Sequence, residues 1–278
     1  MTSNLPETQA TTLLAPKVSS AAGTSASHEV FQATLANCER EPIHAPGSIQ
    51  PLGALLTFAT ASGIIKHAST NLGQYVQLQT LPVRGRSLTD LLGAEAHANI
   101  EKALTRRPGG TVRYEVVDLP ARPEAGQALA LKAIVHTYRS VSFVELEPEA
   151  AVDNEHLGLQ GASDTIDALR IATSLEDIIE RMAQRVKRLV KFDRVMVYRF
   201  DAQNNGHVVA DAREPEMESF YDLHYPASDI PAQARELYLH NLVRYIPDVN
   251  YTPVPVLPWL DTERLQPLDM SHVGLRSV

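Results

Sequence analysis

The sequence contains one cysteine, Cys38, among 278 residues, so it can form no internal disulfide. It has no apolar run of the roughly eighteen residues needed to span a bilayer. It also lacks the basic start and continuous apolar stretch of a secretory leader, since Glu7 and Lys17 interrupt a Thr/Ser/Ala-rich beginning. No Lys/Arg block is present, and 25 Lys and Arg stand against 33 Asp and Glu for a net charge of −8. That balance argues against a general affinity for nucleic acid or anionic membrane. A cytoplasmic, reducing location is the expectation, and it leaves the lone thiol as an inert buried group, a nucleophile or a covalent attachment point.

What is there is ordinary globular material, 44% apolar and 6% aromatic, in a length that suits about two domains. Residues 1–28 are small and polar and read as a flexible arm. From Gly53, ALLTF and SGIIKHAST read as two strands joined by a turn at Ala61-Ser62-Gly63. Ser87-Leu88-Thr89-Asp90-Leu91-Leu92 offers a capped helix start. Thr111 to Val117, Ala128 to Tyr138 and Val141 to Leu146 are rich in β-formers. The acidic piece Glu147 to Leu157 reads as a join.

Beyond it, apolar residues recur at helical spacing from Ser163 to Val190, with a break near Ala172-Thr173-Ser174, where Thr and Ser favour caps. Phe192 to Phe200 reads as a central strand, Asn204-Asn205-Gly206 as a hairpin turn and His207 to Ala212 as the returning strand. Ile230 to Tyr245 reads as a helix with Pro231 in its first turn. The proline-rich stretch Pro247 to Pro267 reads as irregular.

The segments Cys38-Glu39-Arg40-Glu41-Pro42-Ile43-His44 and Pro46-Gly47-Ser48-Ile49-Gln50-Pro51 closely resemble the N-terminal chromophore-attachment region of bacteriophytochromes, red-light receptors carrying a linear tetrapyrrole. Far downstream, Tyr225-Pro226-Ala227-Ser228-Asp229-Ile230-Pro231-Ala232-Gln233-Ala234-Arg235 resembles that family's signature in its GAF domain. The resemblance implies an α+β chain: a PAS domain over 29–150, then a GAF domain over 155–278. Antiparallel sheets with flanking helices are expected, together with a figure-of-eight knot. In that knot the segment around Ile49 threads a lasso formed by Tyr245 to Ser271.

The same resemblance implies a covalent thioether between Cys38 and a vinyl group of biliverdin. No attachment cysteine lies in the GAF part, which points to biliverdin rather than a more reduced bilin. Asp229 is implied to accept from pyrrole N–H groups through its carbonyl and to position the outer ring through its carboxylate, with Ile230 beside it. Tyr198 and Tyr225 match pocket aromatics, Tyr238 a propionate contact, and Arg244 and Arg276 the propionate-binding positions. A planar guanidinium suits a carboxylate through paired hydrogen bonds. On residue type alone, Asp229 would be a turn former, the arginines solvated and the tyrosines core packing; Met196 and Phe200 are left as packing residues.

The family continues with a Ser-Pro-x-His element, further GAF strands, a PHY domain and an output module such as a histidine kinase, none of which precedes Val278. The GAF part is therefore expected to be incomplete, with an exposed sheet edge. The leading expectation is a non-enzymatic photosensory module. Its rival is a pigment-free PAS/GAF module that forms homodimers through the helices after Ser163. A thiol enzyme pairing Cys38 with His44 is a weaker reading, since nothing in the intervening chain brings the two together. The ten histidines are scattered, and neither His224 with Asp229 nor His240 with Asp248 forms a known metal pattern.

Overall fold

The computed structural model describes residues 40–76, 82–105, 115–119, 131–148, 171–241, 244–260 and 266–277. The N-terminal arm, Cys38, the helix expected from Ser163 to the break and most of the acidic join lie outside the described residues.

The N-terminal half is built on β2 (Ala54–Ala59), β3 (Ile65–Ser69), β4 (Glu115–Leu119), β5 (Leu131–Tyr138) and β6 (Val141–Pro148). The β2–β3 turn falls where the sequence places it, with Gly63 at φ +66, a conformation that favours glycine. Two helices follow: α1 (Leu88–Leu92) and α2 (Ala94–Thr105). The Ser87 hydroxyl accepts from the Asp90 N–H at 3.1 Å, the cap that starts α1.

The strands join one antiparallel sheet with β1 (Ser48–Ile49) and β10 (Val254–Leu257), in the order β1-β10-β3-β2-β6-β5-β4. Strand β10 thus stands in the proline-rich stretch expected to be irregular. It is held by its pairing with β1 and β3, a tertiary contact invisible to local pattern.

Side chains alternate across this sheet. Leu56, Phe58, Val144 and Leu146 pack with Ile100, Leu88 and Leu91 beneath the helices. Leu55, Val141 and Phe143 point the other way, into a second cluster with Ile49, Val256, Met270, Val273 and Leu275. Both faces of β2 and β6 are therefore covered, the second by residues more than a hundred positions downstream.

The C-terminal half begins with α3 (Leu175–Val190), capped by the Ser174 hydroxyl accepting from Asp177 N–H at 3.1 Å. The Asp177 carboxylate in turn accepts from Thr173 N–H, so the expected break is a reciprocal cap. Lys191 at φ +55 ends the helix in a left-handed turn. Then come β7 (Arg194–Phe200), β8 (Gly206–Arg213) and β9 (His224–Tyr225), ordered β7-β8-β9. Strand β7, expected to be central, is an edge of this sheet among the described residues.

Helix α3 packs on β7 and β8 through a small core of Ala183, Ala210 and Ala212, with Ile179, Val195 and Val197 against it. The connection from β8 to β9 is pinned by Asp211, whose carboxylate accepts from Phe220 N–H at 2.8 Å and faces Arg194 at 3.6 Å.

Helix α4 (Ala232–His240) follows Pro231 as expected but stops at Asn241 rather than running to Tyr245. Asn241 is buried in extended backbone and donates its side-chain N–H to Val273 O at 3.2 Å. That bond fixes a residue that helical propensity alone would leave in the helix.

Candidate functional site

Strand β7 carries Tyr198, paired with Val208 of β8, so that its ring lies against Gly206. A Cβ on Gly206 would lie 1.7 Å from the Tyr198 ring, so the close approach itself demands glycine. Tyr198 meets Phe200 edge-on at 5.3 Å and Tyr225, from β9, at 6.0 Å between ring centres. The Tyr198 phenol is raised above its ordinary value by desolvation, then by nearby Asp229, Tyr225 and Tyr238. Four residues named from sequence thus share one neighbourhood, although they come from β7, β9, the turn before α4 and α4 itself.

Asp229 and Ile230 sit at a one-turn 3-10 segment, Ala227–Asp229, whose rigidity comes from the flanking Pro226 and Pro231 and from Asp229 N–H bonding Pro226 O at 3.0 Å. Asn205 Oδ1 accepts from Ala227 N–H at 3.2 Å, tying this turn to the hairpin. Arg235, one turn into α4, donates to Ala227 O at 3.0 Å and also to Ile230 O. Sequence reasoning quoted Arg235 within the motif but gave it no task; its place as the clamp of the turn depends on three-dimensional reach. Asp229 is exposed and Ile230 half-buried.

Arg244 lies beyond α4, near Tyr238 and Tyr251; burial lowers its guanidinium from the ordinary value while both phenols act to raise it. Its Nη2 donates to Arg276 O at 2.9 Å and Ser277 O at 3.1 Å. The Nε is buried and has no partner among the described residues. Arg276 is placed differently: it is 2% exposed, and its Nη1 donates to Met270 O at 3.2 Å and Ser271 O at 3.3 Å.

Between the two halves runs β1. On one side Ser48 and Ile49 pair with Pro255 and Val254 of β10; on the other Ile49 bridges Arg276, and Gln50 N–H donates to Leu275 O at 2.7 Å. Trp259 lies over Gly47, where a Cβ would be 1.5 Å from the indole, and Gly47 has φ +67. The segment around Ile49 therefore lies between residues 254–255, inside the stretch that sequence linked to it, and residues 275–276, just beyond that stretch.

Beneath this junction Glu145 of β6 is buried, and its carboxylate accepts from Gly274 N–H at 3.1 Å and Leu275 N–H at 2.7 Å. Burial pushes Glu145 up to about 7 despite those two donors. His136, stacked on Phe143 at 4.7 Å, is pushed down to about 3 by burial and by the neighbouring His272. Neither residue was singled out from sequence, because a charge inside a β-strand pattern gives no local sign of its burial.

A cavity of about 720 Å³ opens elsewhere, beside β3 and β10, lined by Leu72, Val83, Leu257 and Pro258 among others. None of the candidate site residues named from sequence lines it.

The sheet with α1 and α2 on one face is the layout of a PAS-containing protein, and residues 38–149 match the family described as PAS fold. Over 242 residues the chain is 39% identical to a bacteriophytochrome of Xanthomonas campestris pv. campestris, covering 87% of this chain and 37% of that protein. It is 38% identical over 252 residues to a bacteriophytochrome of Pseudomonas aeruginosa, 88% of this chain and 32% of that one. It is 35% identical over 261 residues to cyanobacterial phytochrome B of Nostoc sp., 89% and 33% respectively. The chain is related to the N-terminal, PAS-containing region of bacteriophytochromes. It spans about a third of the length of these relatives. Among the described residues no helix is long and apolar enough to cross a membrane.

Proposed function

We propose that this chain is the pigment-binding front part of a red/far-red light sensor, a PAS domain and part of a GAF domain that together hold biliverdin through a thioether at Cys38. Biliverdin would supply light absorption and isomerisation. The chain's own residues would hold it and sense the change.

The observation that carries this reading is the gathering of Tyr198, Tyr225, Asp229 and Tyr238, with Arg244 alongside. Tyrosine rings offer flat apolar contact, and the Asp229 turn, clamped by Arg235, offers an acceptor whose backbone cannot easily move. Arg244 has a buried Nε donor with no partner among the described residues, a donor that a propionate carboxylate fits. For Arg276 the proposed propionate contact requires its guanidinium to leave the Met270 and Ser271 carbonyls. The pairing of β1 with residues 254–255 and 275–276 supports the knot.

Mixing the chain and its Cys38→Ala variant with biliverdin tests the reading. A red-absorbing species, and a Cys38-dependent fluorescent band in a denaturing gel with zinc, are expected. Unchanged free-biliverdin spectra for both proteins would reject it. An Asp229→Ala variant is expected to attach pigment and photoconvert poorly.

The rival reading, a pigment-free module that pairs two copies, is favoured by one feature. Leu175, Ile178, Leu189 and Val190 of α3 are exposed on a helix otherwise suited to burying an apolar stripe. A stable dimer without pigment uptake would favour it.

A further inference from the structure

We propose that His207, His224 and Asp222 form a site for a divalent transition-metal ion, Zn²⁺ or a close substitute, on the β8–β9 edge of the C-terminal half. His207 and His224 are direct partners in the β8–β9 register, so both side chains leave the same face of the strand pair. Their rings stack at 4.1 Å with 11° between planes. Asp222, at φ +64 in the tight turn leading into β9, places Oδ1 2.9 Å from His207 Nε2. One ligand atom from each of the three lies within 4.8 Å of the others.

Nitrogen and oxygen ligands on tetrahedral zinc lie about 3.4 Å apart, so rotations of the exposed His224 and Asp222 side chains suffice to close the set. Two imidazoles and one carboxylate suit zinc, cobalt, nickel or copper better than calcium or magnesium, which prefer oxygen alone. Asp201 is close enough to His224 to interact with it electrostatically, adding negative charge beside the three.

The alternation of the strand gives the site a structural role. Tyr225 follows His224 and pairs with Gly206, which faces Tyr198; the metal face is the reverse of the tyrosine face. An ion held by β8, β9 and the turn between them would fasten a strand only two residues long. Metal binding here does not depend on pigment.

The test uses the full 278-residue chain carrying Cys38→Ser, so that no thiol competes. Co²⁺ is titrated by its visible d–d absorption and Zn²⁺ by calorimetry, with circular dichroism to verify folding. One equivalent is expected to saturate, with affinity falling more than about tenfold in His224→Ala and in His207→Ala. A weaker loss is expected in Asp222→Asn, and none in His240→Ala. Absence of saturable binding, binding that survives both histidine substitutions, or binding lost through His240→Ala would overturn the proposal.

Discussion

The two long helices, α2 and α3, make opposite use of their sequences. Helix α2 shows a modest apolar stripe, yet buries Ala96, Ile100 and Ala103 within the N-terminal core. Helix α3 is sharply divided into apolar and charged faces and buries only Ala183. The same contrast runs through the two halves. The N-terminal sheet is covered on one face by its own helices and on the other by residues 268–275. In the C-terminal half Phe192, Leu239 and Val249 are exposed, and the cluster beneath α3 consists of three alanines. Amphipathicity therefore records that a face must be covered, while the fold decides whether this chain or another molecule covers it.

The sharpest way to break the comparison is to remove one core side chain from the N-terminal half. Phe58→Ala, at a position 2% exposed, is expected to cost about 3–5 kcal/mol in chemical denaturation. A loss below about 1 kcal/mol would mean that this half is not the better packed one.

Next comes Gly47→Ala, which sets a Cβ into the Trp259 ring and forces a non-glycine residue to φ +67. It is expected to cost about 2–4 kcal/mol, combining overpacking with left-handed backbone. A Trp259→Ala background is expected to recover the overpacking part alone.

The junction between the halves is probed by pH. Glu145 has a folded pKa raised to about 7 from 4.5, so its contribution to stability is fully present below pH 4.5 and is lost as pH rises through 7. His136 is depressed from 6.5 to about 3, so its contribution is present above pH 6.5 and is lost as pH falls through 3. The two run in opposite directions between pH 4.5 and 6.5. Glu145→Gln is expected to gain stability relative to the parent as pH rises from 4.5 to 7, whatever its offset at low pH. Equal pH profiles for the two proteins would show that Glu145 is not buried as the junction requires. The smallest effect belongs to Leu239→Ser, 74% exposed, which is expected to stay within about 0.5 kcal/mol of the parent.

Much of this arrangement was legible in the residues. Ser87 and Ser174 announced their helices because caps are local chemistry, and Gly63 and Asn204-Asn205-Gly206 announced hairpins because positive φ is a local demand. Helix α2 was missed because its buried contacts are mostly alanines, too small to mark a period. Strand β10 and the early end of α4 were missed because distant partners, β1 and β3 in one case and Val273 in the other, hold them in place. Among site residues, the tyrosines, Asp229 and Arg244 came from motif resemblance. Arg235, Glu145 and the His207–His224 pair needed strand register and tertiary reach.

Hydrogen exchange of the whole chain, with and without biliverdin, tests the central claim that the N-terminal sheet is packed on both faces while the tyrosine face is open for a pigment. Slow exchange in β2 and β6 in both conditions, with residues 198–200 and 225–241 gaining protection only when biliverdin is added, is the predicted result. Equal protection of the two halves, or a pigment footprint on β2 and β6 instead, would contradict it.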